Sequence, residues 1–409
     1  MGQSVFEIGG IIKTNDQHPK RTGRRLNPSL RAATAGLAVA MLAIVPSAGA
    51  QREPQATMAK AQTCNRFAQP GGSDAARGTL RRPFRTVQRL VNALRPGQTG
   101  CLLDGIYRGN VRISRGGRPG ARVRLTVAPG QAATILGRIE VVRGADYVTV
   151  RGLTLDGRNA QNLQSPMIDA NHVTFSHDDV TNDHTGICFG IGSPAWGWAT
   201  GTLITHDRVH GCGQMRRGDN YQHGFYIGAA TDTRIEWSLI YDNAARGIQL
   251  YPDAQYTTID HNIIDGNGEG IIISGEGGKA SSHTDIFENI VSNSTVRHDI
   301  QSWWPRGNPV GVDNFVHENC VWGGRGRPID MRAGGLRAAN NARVNPMFVN
   351  AAAHDYRLKP SSPCLFAVGD VEAAVDGIAA TVPLIKHAPF ALAVKASGKR
   401  RLRHRRTAS

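Results

Sequence analysis

Three ionisable residues recur at one place in a repeating phrase. His223, Arg246 and Glu269 each stand directly before a Gly-led run: Gly224-Phe225-Tyr226-Ile227, Gly247-Ile248-Gln249-Leu250 and Gly270-Ile271-Ile272-Ile273. An earlier copy, Gly186-Ile187-Cys188-Phe189, follows Thr185, and a later one, Asp299-Ile300-Gln301-Ser302, follows His298. Successive side chains of a strand alternate between faces, so the second and fourth residues of each run point inward and the third points outward. The outward column is then Cys188, Tyr226, Gln249, Ile272 and Gln301. Stacked as strands about 4.8 Å apart, His223, Arg246 and Glu269 fall within about 10 Å of one another. An arginine in such a patch can pair a carboxylate, while an imidazole and a phenol can remove and return a proton. His223, Tyr226 and Arg246 are therefore the expected catalytic residues. Gln249, Tyr251, Glu269, Glu276, Gln301 and Trp303 are expected to line subsites of an elongated ligand.

Other columns offer less. His177, His206, Trp237, His261, Glu288 and Glu318 share one position of a second repeat, but Trp237 interrupts the histidines and spoils a compact tetrahedral set. No metal ligand is assigned there. Asp178, Asp179, Asp183, Asp207 and Asp219 supply oxygens of the kind calcium takes, so Ca2+ is the one ion carried forward, without a diagnostic spacing. No nucleophile elbow, phosphate loop or H-E-x-x-H motif is present.

The elements that must position these residues are set by that second repeat. An apolar residue, two variable residues, Asn or Asp in most copies, one more residue and an aliphatic recur seven times: Val150–Leu155, Phe175–Val180, Ile204–Val209, Ile235–Ile240, Ile259–Ile264, Ile286–Val291 and Val316–Val321. The copies are 24 to 31 residues apart, a period that specifies a solenoid, and the β-branched runs make it a β-solenoid. Asp178, Asp207, Asn262, Asn289 and Asn319 hold the fourth position, with Leu153 and Ser238 in the other two copies. Asn and Asp tolerate left-handed φ and can hydrogen-bond from coil to coil, so this column is expected to make the bend and form a structural ladder.

A solenoid leaves its first coil bare and needs a cover there. Phe84, Val87, Val91 and Leu94 make one apolar stripe, which predicts an amphipathic capping helix over 83–94, ended by Pro96-Gly97. Residues 51–80 read as a lead-in and 81–365 as the solenoid. The segment 345–364 is expected to close the far end, and 366–409 to be a disordered basic tail.

The helix-then-strand start, the I-x-x-N-x-I phrase and the Gly-Ile strand after each bend resemble right-handed parallel β-helix proteins of the pectate-lyase-like superfamily. The resemblance covers roughly residues 64–365 and implies an all-β, single-stranded right-handed parallel β-helix. It also implies a carbohydrate ligand, although the same scaffold serves lyases, hydrolases, uronate epimerases and adhesins. The central coils hold one lysine, Lys279, and no run of aspartates of the kind found in calcium-dependent pectate lyases.

The net charge of +16 is concentrated at the ends. Residues 1–50 contribute +4 and residues 386–409 contribute +8, which leaves +4 for the body. Nucleic acid is therefore not the expected partner. Residues 35–46 form a short apolar stretch with Arg24, Arg25 and Arg31 before it and Ala48-Gly49-Ala50 after it, the pattern of a secretory signal and not of a membrane span. All six cysteines follow it, and an even count in a secreted chain reads as disulfides. Cys64 and Cys101 flank the predicted helix, Cys320 and Cys364 flank the last coil, and Cys188 and Cys212 are left to pair.

The expectation is a secreted, monomeric, extracellular or wall-associated protein that cleaves an acidic (uronate) polysaccharide by β-elimination. A glycoside hydrolase using Glu269 with Glu276, Asp253 or Asp219, a uronate epimerase, and a non-catalytic glycan-binding protein are the alternatives.

Overall fold

The computed structural model describes residues 63–215 and 221–366. The expected signal segment, the basic tail beyond 366 and Asp219 lie outside them.

The chain winds through three parallel sheets. The first has eleven strands, from Arg66–Ala68 to Arg337–Ala339; the second has ten, from Val111–Ile113 to Ile329–Asp330; the third has nine, from Gly105–Arg108 to Cys320–Trp322. One coil visits them in the order first, third, second: Arg234–Glu236, Leu239–Tyr241, Arg246–Gln255, and then Thr258–Asp260 of the next coil. The seven copies of the repeat stack in the predicted register. Val150, Phe175, Ile204, Ile235, Ile259, Ile286 and Val316 are mutual neighbours down the first sheet. Leu155, Val180, Val209, Ile240, Ile264, Val291 and Val321 are neighbours down the third. Both columns are buried to within 1% and build the core. Phe175, Phe189 and Phe225 continue it, the last two with parallel rings 4.9 Å apart.

In the seven copies of the repeat the bend between the first and third sheets spans two residues, such as Trp237-Ser238 or His261-Asn262, whereas the earlier bend at 128–132 has five. The left-handed residue is the first of the two and not the Asn: φ is 58° at His177 and His206, 48° at Trp237, 54° at His261, 52° at Glu288 and 57° at Glu318. This corrects the sequence expectation. The Asn side chains are fully buried and point along the axis. Their Oδ1 accepts from the preceding coil's backbone N–H, and their Nδ2 donates to the next coil's Asn, at 2.9 Å from Asn262 to Asn289 and again from Asn289 to Asn319. A left-handed Asn side chain could not point inward to form this row. The exposed partner therefore takes the strained φ, and its rings stack: His177 on His206 at 4.8 Å and Trp237 on His261 at 4.1 Å. That stacking is the role of the histidine column.

Asp178 and Asp207 hold the ladder position in two coils and are completely buried. Burial pushes Asp178 up to about 8, and Asp207 well above the carboxylate range, where the neighbouring Asp178 adds to the effect. A carboxyl raised on folding binds more protons in the folded state, so the stability it allows is present in acid and is lost as pH climbs from about 4 through the folded value. Asp207→Asn is expected to raise the unfolding free energy most near pH 8, by about 1–3 kcal/mol, and little at pH 4. A urea titration at both pH values checks this; equal gains at the two would contradict it.

The N-terminal helix is shorter than predicted, Val87–Ala93. Thr86 caps it, accepting from Arg89 N–H at 3.1 Å, and is itself held by the Asp74 carboxylate. Phe84 stays extended and pairs with Phe67. The lead-in is also part of the fold, because Arg66–Ala68 is the first strand of the first sheet. The three disulfides join Cys64 to Cys101, Cys188 to Cys212 and Cys320 to Cys364, as expected. The C-terminal segment differs. Its hairpin, Phe348–Asn350 with Asp355–Leu358, packs Phe348, Tyr356 and Leu358 on Leu239, Ile263, Ile290 and Cys320. Those four are register neighbours on the outside of the third sheet. The segment therefore lies along a flank and not across the open end, because that apolar outer row needs cover.

The joins on either side of the second sheet vary in length. Residues 157–166, 211–222 and 266–268 lead into it from the third sheet, and 232–233, 275–284 and 304–314 lead out of it to the first. The second sheet is the one that carries the ionisable column.

Candidate functional site

Parallel pairing sets His223 beside Arg246 and Arg246 beside Glu269. It sets Tyr226, Gln249, Ile272, Gln301 and Asp330 in a second row. The expected columns are thus assembled, with two exceptions. Gly190, not Cys188, stands beside Tyr226, and Cys188 is interior, bonded to Cys212. Thr185 falls out of the ionisable column by the same shift. The cause is Asn182, whose amide closes 182–186 into a turn by bonding to Gly186 O at 2.6 Å and accepting from Thr185 N at 3.2 Å. The strand starts only at Phe189. At the other end, His298 turns toward the last coil, with its Nε2 3.2 Å from Asp330.

The outward row is more covered than alternation alone predicts. Gln249 and Gln301 are 7% and 6% exposed, and His223 and Glu269 only 1%. Arg246 is locked between neighbours: Nε donates to Glu269 Oε2 at 2.9 Å and Nη1 to Gln249 Oε1 at 3.0 Å. His223 Nδ1 and Glu269 Oε1 are buried without a hydrogen-bond partner.

Burial and the nearby Arg246 charge push the His223 imidazole well below its usual range, against a hydrogen bond to Gln249 that raises it. It is neutral at pH 7 and can accept a proton. Burial raises the Tyr226 phenol, and the Glu276 charge adds to this, so its proton stays on. Burial also raises Glu269, more than the Arg246 ion pair lowers it.

Aromatic side chains rim the patch. The His223 and Tyr226 rings lie parallel with centroids 6.0 Å apart, and Tyr251 meets Tyr226 edge-on at 6.2 Å. The Tyr251 hydroxyl donates to the Glu276 carboxylate. Trp303 is 52% exposed beside Ser274. His223, Tyr226, Arg246, Gln249, Glu269, Tyr251 and Glu276 therefore form one neighbourhood. Gln301 and Trp303 lie on the strand beyond Glu269–Ser274.

The structure adds Trp196 and Trp198, which sequence reasoning missed, and places Lys279, with its partner Asp253, beside Trp198. Lys279 pairs with Asp253 at 2.6 Å, and its ammonium sits 5.8 Å above the Trp198 ring. Trp198 and Trp196 come from a loop in which Ser193 and Gly197 pair across a tight turn. The available signal was two tryptophans among Gly, Ser and Pro in an insertion. Asp253, Glu269 and Glu276, the described carboxylates considered for hydrolysis, already hold cationic or phenolic partners. Among the described residues no three His, Cys, Asp or Glu side chains are grouped to hold a metal ion. None of the described helices is long and apolar enough to cross a membrane.

Residues 141–304 match the family described as right-handed beta helix region. The chain folds as a right-handed parallel β-helix. The parallel β-helix is the fold that the repeat implied. The β-helix is similar to that in a structure described as XylC in complex with xylose, at 11% identity over 68% of this chain and 69% of that one, with a TM-score of 0.53. It is similar to pectate lyase Pel9A, at 13% identity over 74% and 91% with a TM-score of 0.51. It is also similar to an alginate lyase from Paenibacillus sp. str. FPU-7, at 18% identity over 63% and 92% with a TM-score of 0.51. These identities establish the β-helix and no activity. No curated protein is significantly similar in sequence.

Proposed function

We propose that this protein binds an acidic polysaccharide along its second sheet and cleaves it by β-elimination. The observation that carries the proposal is the register that stacks His223, Arg246 and Glu269 on successive strands with Tyr226 beside them. Elimination needs the uronate carboxylate neutralised, the C-5 proton removed and the departing O-4 protonated. Arg246 supplies the positive charge. The substrate carboxylate competes for it with Glu269, whose raised pKa eases the exchange. The protonation states divide the other roles: neutral His223 accepts the proton and Tyr226 donates one. Gln249, Tyr251, Glu276, Gln301 and Trp303 line the track. Three disulfides support an oxidising, extracellular site of action.

Incubation with polygalacturonate, alginate and other polyuronates tests this through absorbance of the unsaturated uronate. Tyr226→Phe is expected to cut that signal by about 10²–10⁴-fold while binding is retained. Reducing ends formed without the absorbance overturn elimination in favour of hydrolysis. One observation favours a non-catalytic glycan-binding role instead: His223 is 1% exposed, and a face that only binds does not need it bare. Binding with no product across the panel would establish that role.

A further inference from the structure

The outward row of the second sheet continues toward the N-terminus. Tyr226 is followed by Gly190, Met167, Glu140 and Arg112. Glu140 is three strand spacings from Tyr226, about 14 Å. A cleft of about 520 Å3 opens there, lined by Arg112, Arg138, Arg143, Glu140, Asp169 and Trp196 among others.

Its charges are not all spent on one another. Glu140 is saturated: Oε1 pairs with Arg112 at 2.7 Å and Oε2 with Arg138 at 2.5 Å. Arg138 is further tied to Gln164 O at 3.0 Å. Arg143 makes no ion pair with a described residue and is exposed. Asp169 is 5% exposed, and its Oδ1 has no hydrogen-bond partner, a cost that a ligand hydroxyl can relieve. Trp196 is 56% exposed, and its loop is pinned. A Cβ added at Gly197 would lie 2.7 Å from Asp169 O and 3.3 Å from Arg143 Cβ, so the loop rests directly on both residues. An exposed indole on an anchored turn is a stacking platform that loses little freedom on binding.

We propose that this cleft is a second, non-catalytic subsite for a carboxylate-bearing sugar of the same polymer. Arg143 pairs the sugar carboxylate, Trp196 stacks against the ring, and Asp169 Oδ1 accepts a hydroxyl proton. The proposal rests on the acidic-polysaccharide reading above and extends it by giving the bound chain a distal anchor along the axis.

Titration calorimetry of the full chain with sodium oligogalacturonate and sodium oligomannuronate, and with the same oligomers reduced to neutral sugars, tests it. Arg143→Ala and Trp196→Ala are each expected to raise Kd about tenfold, a loss near 1.4 kcal/mol, with an unchanged Tm. Arg143→Lys recovers only part of the loss, because an ammonium cannot pair the carboxylate bidentately. On polymer, both alanine variants raise KM and leave kcat alone. Neutral oligomers that bind the wild type as tightly as the uronates overturn the carboxylate assignment. Wild-type Kd values for both alanine variants overturn the subsite, even where unsaturated product shows that elimination holds. Weakened binding in those variants with no product from any polymer supports the subsite and sinks elimination instead. No binding of any oligomer overturns both.

Discussion

Asn289→Ala is expected to destabilise the solenoid by about 3–5 kcal/mol, although it removes no apolar contact. Asn289 Nδ2 donates to Ile259 O and Phe287 O, both at 2.8 Å, and to Asn319 Oδ1 at 2.9 Å. Its Oδ1 accepts from Asn262 N and Asn262 Nδ2, both at 2.9 Å. Alanine takes this partner from Ile259 O, Phe287 O and Asn262 N inside the coil, whereas Asn319 Oδ1 keeps the backbone N–H of residue 289 and Asn262 Nδ2 keeps Ile235 O and Asp260 O. Urea denaturation followed by circular dichroism reads the loss, and amide exchange places it, with protection falling first at Ile259–Asn262 and Val316–Asn319. Asn340 is the comparison: it is exposed, with φ at 53°. Alanine there is expected to cost only about 1–2 kcal/mol for the left-handed backbone. Equal losses at the two positions would show that the row contributes nothing beyond its bends.

Arg246→Ala is expected to abolish more than a contact. It strands the Glu269 carboxylate, itself 1% exposed, and breaking a buried pair on one side costs about 3–5 kcal/mol. It also removes the charge proposed to face the uronate, for an expected further loss of about 10²–10³-fold in turnover. Glu269→Gln separates the two effects, because the Gln carbonyl still accepts from Arg246 Nε and the guanidinium stays. Unsaturated product is therefore expected to persist in Glu269→Gln and vanish in Arg246→Ala. The double variant recovers stability without activity, since no unpaired charge remains. Activity that returns with stability would assign Arg246 a purely structural part.

Much of this was legible in the chain. The repeat fixed the strand register because its aliphatic pairs can face inward only one way, and that register brought His223, Arg246 and Glu269 together. The disulfides followed from where cysteines fall against predicted elements. What escaped was set by turns. Asn182 closes a turn that local periodicity does not register, so Cys188 and Thr185 were placed two residues out. The left-handed position could not be told from its neighbour, because an Asn preference describes backbone tolerance and the ladder uses the side chain. The covering of Gln249 and Gln301, and the Trp196 platform, depend on loops whose conformation no period encodes.

In the seven repeats the bend opposite the second sheet holds two residues, whereas the joins beside that sheet range from 232–233 to 211–222. Lengthening a loop is entropically cheap, about 0.6 kcal/mol per doubling, provided the insertion leaves the stacked rows alone. Within the seven repeats the joins of varying length border the second sheet, the face proposed to meet the ligand. The fold thus works as a chassis with interchangeable fittings. Loops transplanted between coils, or lengthened at 193–198 or 275–284, should redirect specificity without renegotiating the core.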